Sequence, residues 1–188
     1  MSMDEKALKE RIASHAVEKY IKSGMNLGLG TGSTALPAIR RIGSLMREGA
    51  LADIRAVPTS FQSLIACEEE GIPLFTLNSP EIAGELDLAI DGADEVDPAN
   101  RCIKGGGGAL LLEKIVAYNS RRFIVIVDGR KLVETLGPGF PLPVEVVPDA
   151  RLPVMRALGN LGGEVVLREA VRKAGPVITD RGNIILDT

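Results

Sequence analysis

The sequence predicts an α/β protein with a doubly wound, mainly parallel sheet, followed by a small α+β second domain. Three observations predict it. Short apolar, strand-like runs alternate with helical patterns as far as about residue 130, the order expected of consecutive βαβ units. The first such run, MNLGLG, meets a glycine turn just before a helix. Beyond residue 130 comes a proline and glycine rich connection, GPGFPLP, and then strand, helix, strand and hairpin patterns. The expected division is therefore 1–130 for the larger domain and 131–188 for the smaller one.

Each element follows from its local pattern. Residues 4–22 read as an amphipathic helix on Leu8, Ile12, Ala16 and Tyr20, ended by Ser23 and Gly24. MNLGLG is a short buried strand. Ser33 or Thr34 can cap the next helix, whose apolar stripe is Leu36, Ile39, Ile42 and Met46, with Pro37 tolerated near its first turn. IRAVPTS then reads as a strand, FQSLIACEEEG as a helix closed by Gly71, IPLFTL as a strand, and ELDLAIDGADE as a strand running into an acidic turn. A helix is expected at about 109–119, and the FIVIV core of RRFIVIVD suits a strand covered on both faces. GRKLVETLG reads as a short helix. VEVVP, ARLPVMRALGNLG, GEVVLRE and the hairpin PVITDRGNIILD with its DRGN turn complete the small domain. The larger domain is thus Rossmann-like and the smaller one ferredoxin-like in its order of elements.

Composition narrows the function. A net charge of −3, no tryptophan and 3% aromatic residues leave neither an electrostatic footprint nor stacking platforms for nucleic acid. Charges from Asp4 to Arg11 are unlike an apolar signal sequence, and no apolar run approaches the roughly eighteen residues of a membrane span, so a cytoplasmic protein is expected. Cys67 and Cys102 are read as reduced thiols. One histidine, His15, on a helical pattern rules out a histidine-rich metal site and gives no sign of a catalytic triad. Glycine is in excess, at 21 of 188 residues, and much of it falls in two short stretches.

GLGTGST (28–34) is the first of three constellations. It sits where a strand ends and a helix begins, so glycines allow close backbone approach, helix-terminal N–H groups point outward, and Thr31, Ser33 and Thr34 add hydroxyls around Gly32. That is a phosphate cradle, or else a tight turn that binds nothing. A dinucleotide fingerprint is absent, because Ser33 stands in the third glycine's place and Pro58, Thr59 and Ser60 end the next strand without an acid. A P-loop sequence is absent too.

DGADEVD (91–97) places Asp91, Gly92, Ala93 and Asp94 at the carboxyl end of an internal strand, where open α/β sheets bind ligands. Its carboxylates can hold sugar hydroxyls, ligate magnesium or exchange protons, and an acidic surface turn is the plain alternative. KGGGGALLLEK (104–114) sets Lys104, Gly105, Gly106 and Gly107 before a helix on which Glu113 shares a face with Ala109, Leu110, Val116 and Ala117. Burial pushes such a carboxyl towards neutral-pH proton transfer, while the helix N-terminus and Lys104 pull the other way. Taken alone, these glycines also suit a flexible loop. Together, the three turns describe a cleft for a phosphorylated polyhydroxy compound.

In that order and at that spacing, GLGTGSTA, DLAIDGADEVD, IKGGGGALLLEKIVA and FPLPVEVVP closely resemble the type A ribose-5-phosphate isomerase family, and the likeness extends over essentially the whole chain. The resemblance implies interconversion of D-ribose 5-phosphate and D-ribulose 5-phosphate in the non-oxidative pentose phosphate pathway, with no metal and no organic cofactor. It puts the catalytic base on Glu113, the phosphate and substrate loop on Thr31 to Thr34, the acidic loop on Asp91 to Asp94, the lysine-glycine loop on Lys104 to Gly107, and a further substrate-binding lysine on Lys131. Asp91 and Asp94 hold sugar hydroxyls in this scheme, Asp94 assists ring opening, and Lys104 with the glycine N–H groups stabilises the cis-enediolate. A homodimer or homotetramer without nucleic-acid or membrane partners is implied, as is a lid role for the small domain. Members of the family continue for several tens of residues beyond this point, so an incomplete small domain is expected. Two other readings compete: a non-catalytic sugar-phosphate sensor, and a CoA-transferase-like acyl carrier with Glu113 as nucleophile.

Overall fold

The computed structural model describes residues 3–188, with side chains from Glu5 onward. Contacts within the chain divide it into two compact units: residues up to Ala93 with Leu112–Lys131, and Asp94–Leu111 with Leu132–Thr188. The segment 94–111 therefore packs with the C-terminal part of the chain, although it lies in the middle of the first 130 residues.

The first unit is built on a four-stranded parallel sheet in the order β2 (Arg55–Pro58), β1 (Asn26–Leu29), β3 (Leu88–Asp91), β6 (Phe123–Val125). Register runs Leu27 to Leu88 and Ala56, and Ala89 to Phe123. Alternation along the strands sends side chains to two cores, as a pleated strand must. Leu27, Leu29, Ala56, Leu88 and Ile90 pack with apolar residues of helices α1 (Met3–Tyr20), α2 (Ala35–Arg47) and α3 (Phe61–Glu69). On the other face Val57 and Ala89 pack with Ile82, Leu86 and Val116, the last from α4 (Leu110–Tyr118). Both faces are covered, which is the doubly wound, mainly parallel arrangement predicted. A Cβ on Gly28 would lie 2.3 Å from Val116 Cγ1, so the absence of a side chain there lets α4 sit close against β1.

In the second unit β7 (Pro143–Val146), β9 (Ile184–Asp187) and β8 (Val166–Leu167) form an antiparallel sheet in that order. Val146, Ile184 and Leu186 pack there with Val154, Met155 and Leu158 of helix α5 (Arg151–Asn160). The same unit holds a hairpin of β4 (Glu95–Val96) and β5 (Cys102–Ile103), closed by Asp97, which accepts the N–H groups of Ala99 and Arg101 and the Arg101 guanidinium. That guanidinium holds the Asp97 carboxyl below its usual range.

Several expectations need correction. IPLFTL forms no strand; Leu74 makes one isolated bridge to Ala56, which bonds Pro73 and Phe75 on either side. The FIVIV run gives a strand of only three residues, Phe123–Val125, with Ile124 and Ile126 packed into one core and Phe123 into the other, as a strand covered on both faces requires. GRKLVETLG yields a single 3₁₀ turn, Gly129–Lys131, since Asp128 draws the Arg130 N–H and guanidinium to its own carboxylate. The first arm of PVITDRGNIILD is not a strand, although the turn closes through Thr179 and Asn183. The acidic turn after β3 stands at Gly92, Ala93 and Asp94, and it leads straight into the β4–β5 hairpin. Thr34 stands at the N-cap of α2 without a capping bond from its side chain, whereas Ser60 and Ser63 form a full capping box for α3.

Both cysteines are free thiols, and burial pushes the Cys67 thiol up to about 12. Among the described residues no helix is long and apolar enough to cross a membrane. His15 is exposed on α1.

Candidate active site

The chain leaves β1 towards α2 on one face of the sheet, and the chain beyond β3 returns through α4 on the other. Adjacent strands whose connections part in this way open a crevice at their carboxyl ends, the topological switch point where open sheets bind ligands. Two of the motifs lie there in the first unit. Asp91 ends β3, is 3% exposed, and accepts the Thr31 N–H at 3.1 Å and the Gly92 N–H at 2.7 Å on one oxygen. Thr31 Oγ1 reaches Thr59 Oγ1 at 2.9 Å and Ser60 Oγ at 2.7 Å, and the Gly32 N–H donates to Gln62 Oε1 at 2.8 Å. Lys9 of α1 donates to Ser33 Oγ at 2.8 Å, which brings a cation to the glycine turn.

Glu113 lies on the buried side of α4 at 7% exposure, in line with Ala109 and Val116 at 8% and 1%, while Leu111 and Ile115 are exposed. Its placement follows the i±3 and i±4 spacing read from the sequence. Lys131 ends the 3₁₀ turn after β6, with its N–H on the Asp128 carbonyl at 3.0 Å.

Asp128 is 4% exposed, and the Arg130 guanidinium beside it lowers its carboxyl to about 2 from an ordinary 3.8. A folded-state value below the unfolded one stabilises the fold fully above about pH 4, and that contribution disappears as pH falls towards 2. Asp128→Asn should therefore flatten the loss of stability between pH 5 and about pH 2.5 in denaturant titrations. An unchanged slope would show that the pair does not couple to folding.

The remaining motif residues belong to the second unit. Asp94 Oδ2 accepts the Gly106 N–H at 2.8 Å, so this N–H is not one of the free donors expected of the glycine run. A Cβ on Gly106 would fall 2.6 Å from Asp94 Oδ1 and 2.9 Å from Phe140 Cζ. Gly105 adopts φ +115°, where its own Cβ would meet Pro143 at 3.0 Å. Glu145 of β7 accepts the Leu111 N–H in the first turn of α4 at 3.1 Å, and also Thr179 Oγ1 at 2.8 Å and Asn183 Nδ2 at 3.0 Å. Glu95, 3% exposed, holds the proline and glycine rich connection through the N–H groups of Gly137 and Gly139.

Sequence reasoning did not single out Lys9, Gln62, Glu95 or Glu145, nor Thr59 and Ser60 as partners of Thr31. Their partners lie 24 to 44 residues away, or 28 and 29 for Thr59 and Ser60, beyond any local periodicity. The serine spacing of the α3 capping box was the one local signal available.

A parallel sheet that carries a glycine turn and a buried carboxylate at its switch point is the arrangement of an α/β enzyme for a small anionic ligand. The chain belongs to the ribose 5-phosphate isomerase A (phosphoriboisomerase A) family, whose model matches residues 55–188. It is 57% identical over 190 residues to ribose-5-phosphate isomerase A of Treponema denticola, covering 98% of this chain and 80% of that protein. The enzyme of the same name from a Synechococcus species is 52% identical, with 96% and 76% covered. Among solved structures, ribose 5-phosphate isomerase A from Methanocaldococcus jannaschii superposes with a TM-score of 0.91 at 48% identity, over 97% of this chain and 79% of that one. A D-ribose-5-phosphate isomerase in complex with phospho-erythronic acid gives 0.90 at 42%, over 100% and 79%.

Proposed function

We propose that the protein interconverts D-ribose 5-phosphate and D-ribulose 5-phosphate, with Glu113 as the base that moves the proton between C2 and C1. Family membership supports the reaction. The observation that carries the base assignment is the burial of Glu113 on the helix that follows the glycine run. In such a place, fixed protein dipoles replace a hydration shell that would otherwise have to reorganise during proton transfer.

In the open-chain aldose, Glu113 takes the C2 proton. The C–H electron pair becomes the C1–C2 double bond, and the carbonyl pair moves to O1, giving a cis-enediolate. Returning the proton from Glu113 to C1, with transfer of the hydroxyl proton from O2 to O1, yields the ketose. Lys104 and the N–H groups of Gly105 and Gly107 stabilise the oxyanion, where each donor commonly contributes on the order of 100-fold in turnover. Asp94 assists ring opening and Asp91 binds hydroxyls. Thr31 to Thr34 hold the phosphate, with Lys9 beside Ser33 adding positive charge, and Lys131 is a further substrate contact. The working enzyme is a cytoplasmic homodimer or homotetramer.

Purified protein should interconvert the two sugar phosphates in buffer containing EDTA, followed by the appearance of ketose from ribose 5-phosphate. A folded preparation that shows no turnover overturns the proposal.

A further inference from the structure

One side chain holds the glycine run through its carbonyls. Arg168, just after β8, donates from Nη1 to the Gly105 carbonyl at 2.9 Å and to the Gly106 carbonyl at 3.3 Å. Its Nε donates to Asp187 Oδ2 at 2.8 Å, and its Nη2 donates to Asp187 Oδ1. The two side chains are 16% and 20% exposed. The backbone of Arg168 is fixed as well, through its N–H on Ile185 and its carbonyl on Val177. A guanidinium forked onto a carboxylate has little rotational freedom left, so its remaining N–H bonds point one way.

Among the described residues the peptide bonds are trans, and in a trans peptide the carbonyl and the N–H point in opposite directions. With the Gly105 carbonyl on Arg168, the Gly106 N–H is turned away from it, and there it meets Asp94. With the Gly106 carbonyl on the same guanidinium, the Gly107 N–H is turned away in the same manner. A run of glycines lacks side chains to select one backbone conformation, so an outside clamp must supply the selection. We infer that Arg168, braced by Asp187, is a positioning residue for catalysis: it selects the loop conformation that orients Asp94 and presents the Gly107 N–H to the substrate oxyanion. The assignment rests on the isomerase chemistry proposed above.

The test is steady-state turnover of ribose 5-phosphate by wild type, Arg168→Gln, Arg168→Lys and Asp187→Asn, with unfolding midpoints and the Gly107 amide resonance recorded for each. Arg168→Gln should lower kcat about 30-fold or more with KM within about threefold, because a mis-aimed donor is lost in the transition state while the phosphate loop is untouched. Arg168→Lys keeps the charge and one carbonyl bond, so it should recover part of kcat. Asp187→Asn should show a smaller loss of the same kind, and the Gly107 resonance should move in all three. Unchanged kcat in Arg168→Gln, or a loss carried wholly by KM, overturns the inference. If Arg168→Gln fails to fold, the other two variants decide by the same criterion. An inactive wild type would overturn the isomerase assignment itself, whereas an active wild type beside a fully active Arg168→Gln overturns only the clamp.

Discussion

Replacing Glu113 by glutamine is expected to lower turnover of ribose 5-phosphate by about 10³-fold while leaving substrate affinity within a few-fold, in keeping with the 10²–10⁴-fold typical of a positioned general base. Glutamine matches glutamate in shape, and the site is a buried helix face between Ala109 and Val116, so the fold should tolerate the change. What is lost is the ability to accept a proton from carbon. The check is kcat in steady state, together with exchange of the C2 proton with solvent deuterium. Exchange and turnover should fall together if one group serves both steps. Turnover within tenfold of wild type would remove Glu113 from the role of base. A covalent glutamyl adduct with a CoA thioester would instead support the acyl-carrier alternative.

The second large effect is expected at Gly30. A Cβ there would lie 2.0 Å from Asp91 Oδ1 and 2.1 Å from its Cγ, far inside contact distance. Asp91 cannot yield without giving up the N–H groups of Thr31 and Gly92 that it accepts. Gly30→Ala should therefore cost about 3 kcal/mol of stability, from overpacking and from lost charge-assisted hydrogen bonds. Turnover should fall by about 10²-fold in whatever protein remains folded, because an ångström-scale shift of a binding group has that effect. Gly159→Ala is the natural control. It lies in α5 with nothing within 4 Å of its Cβ, so alanine should raise stability by up to about 1 kcal/mol. Equal denaturation midpoints for Gly30→Ala and wild type would show that the β3 end is far more yielding than its hydrogen bonds suggest.

The legible parts of this molecule were those decided within a few residues. The α1 pattern, the buried run of β3 and the face of α4 that carries Glu113 each declare themselves by spacing, since a period of 2 or 3.6 is a local property of backbone geometry. The three loop motifs could be read for the same reason: glycine, hydroxyl and acid at a strand end have chemistry wherever the strand goes. Elements that depend on a distant partner were misread. IPLFTL is as apolar as a strand, yet it has only Ala56 to bridge to, and PVITD lost its ladder because β9 pairs with β7 and β8 instead.

Residue order alone was enough to establish an α/β sheet, three candidate loops and a carboxylate on the inner face of a helix, because each rests on short-range sterics and periodicity. Which groups those loops spend on each other was decided by the folded chain. Asp91 takes the Thr31 N–H across 60 residues, Asp94 takes the Gly106 N–H across 12, and Arg168 takes the glycine carbonyls across more than 60. A hydrogen bond depends on distance and direction in space, and sequence separation constrains neither. Four glycines that look like pure freedom in the sequence are, once folded, a loop with two carbonyls clamped, one N–H committed to an acid, and the next turned away from the clamp.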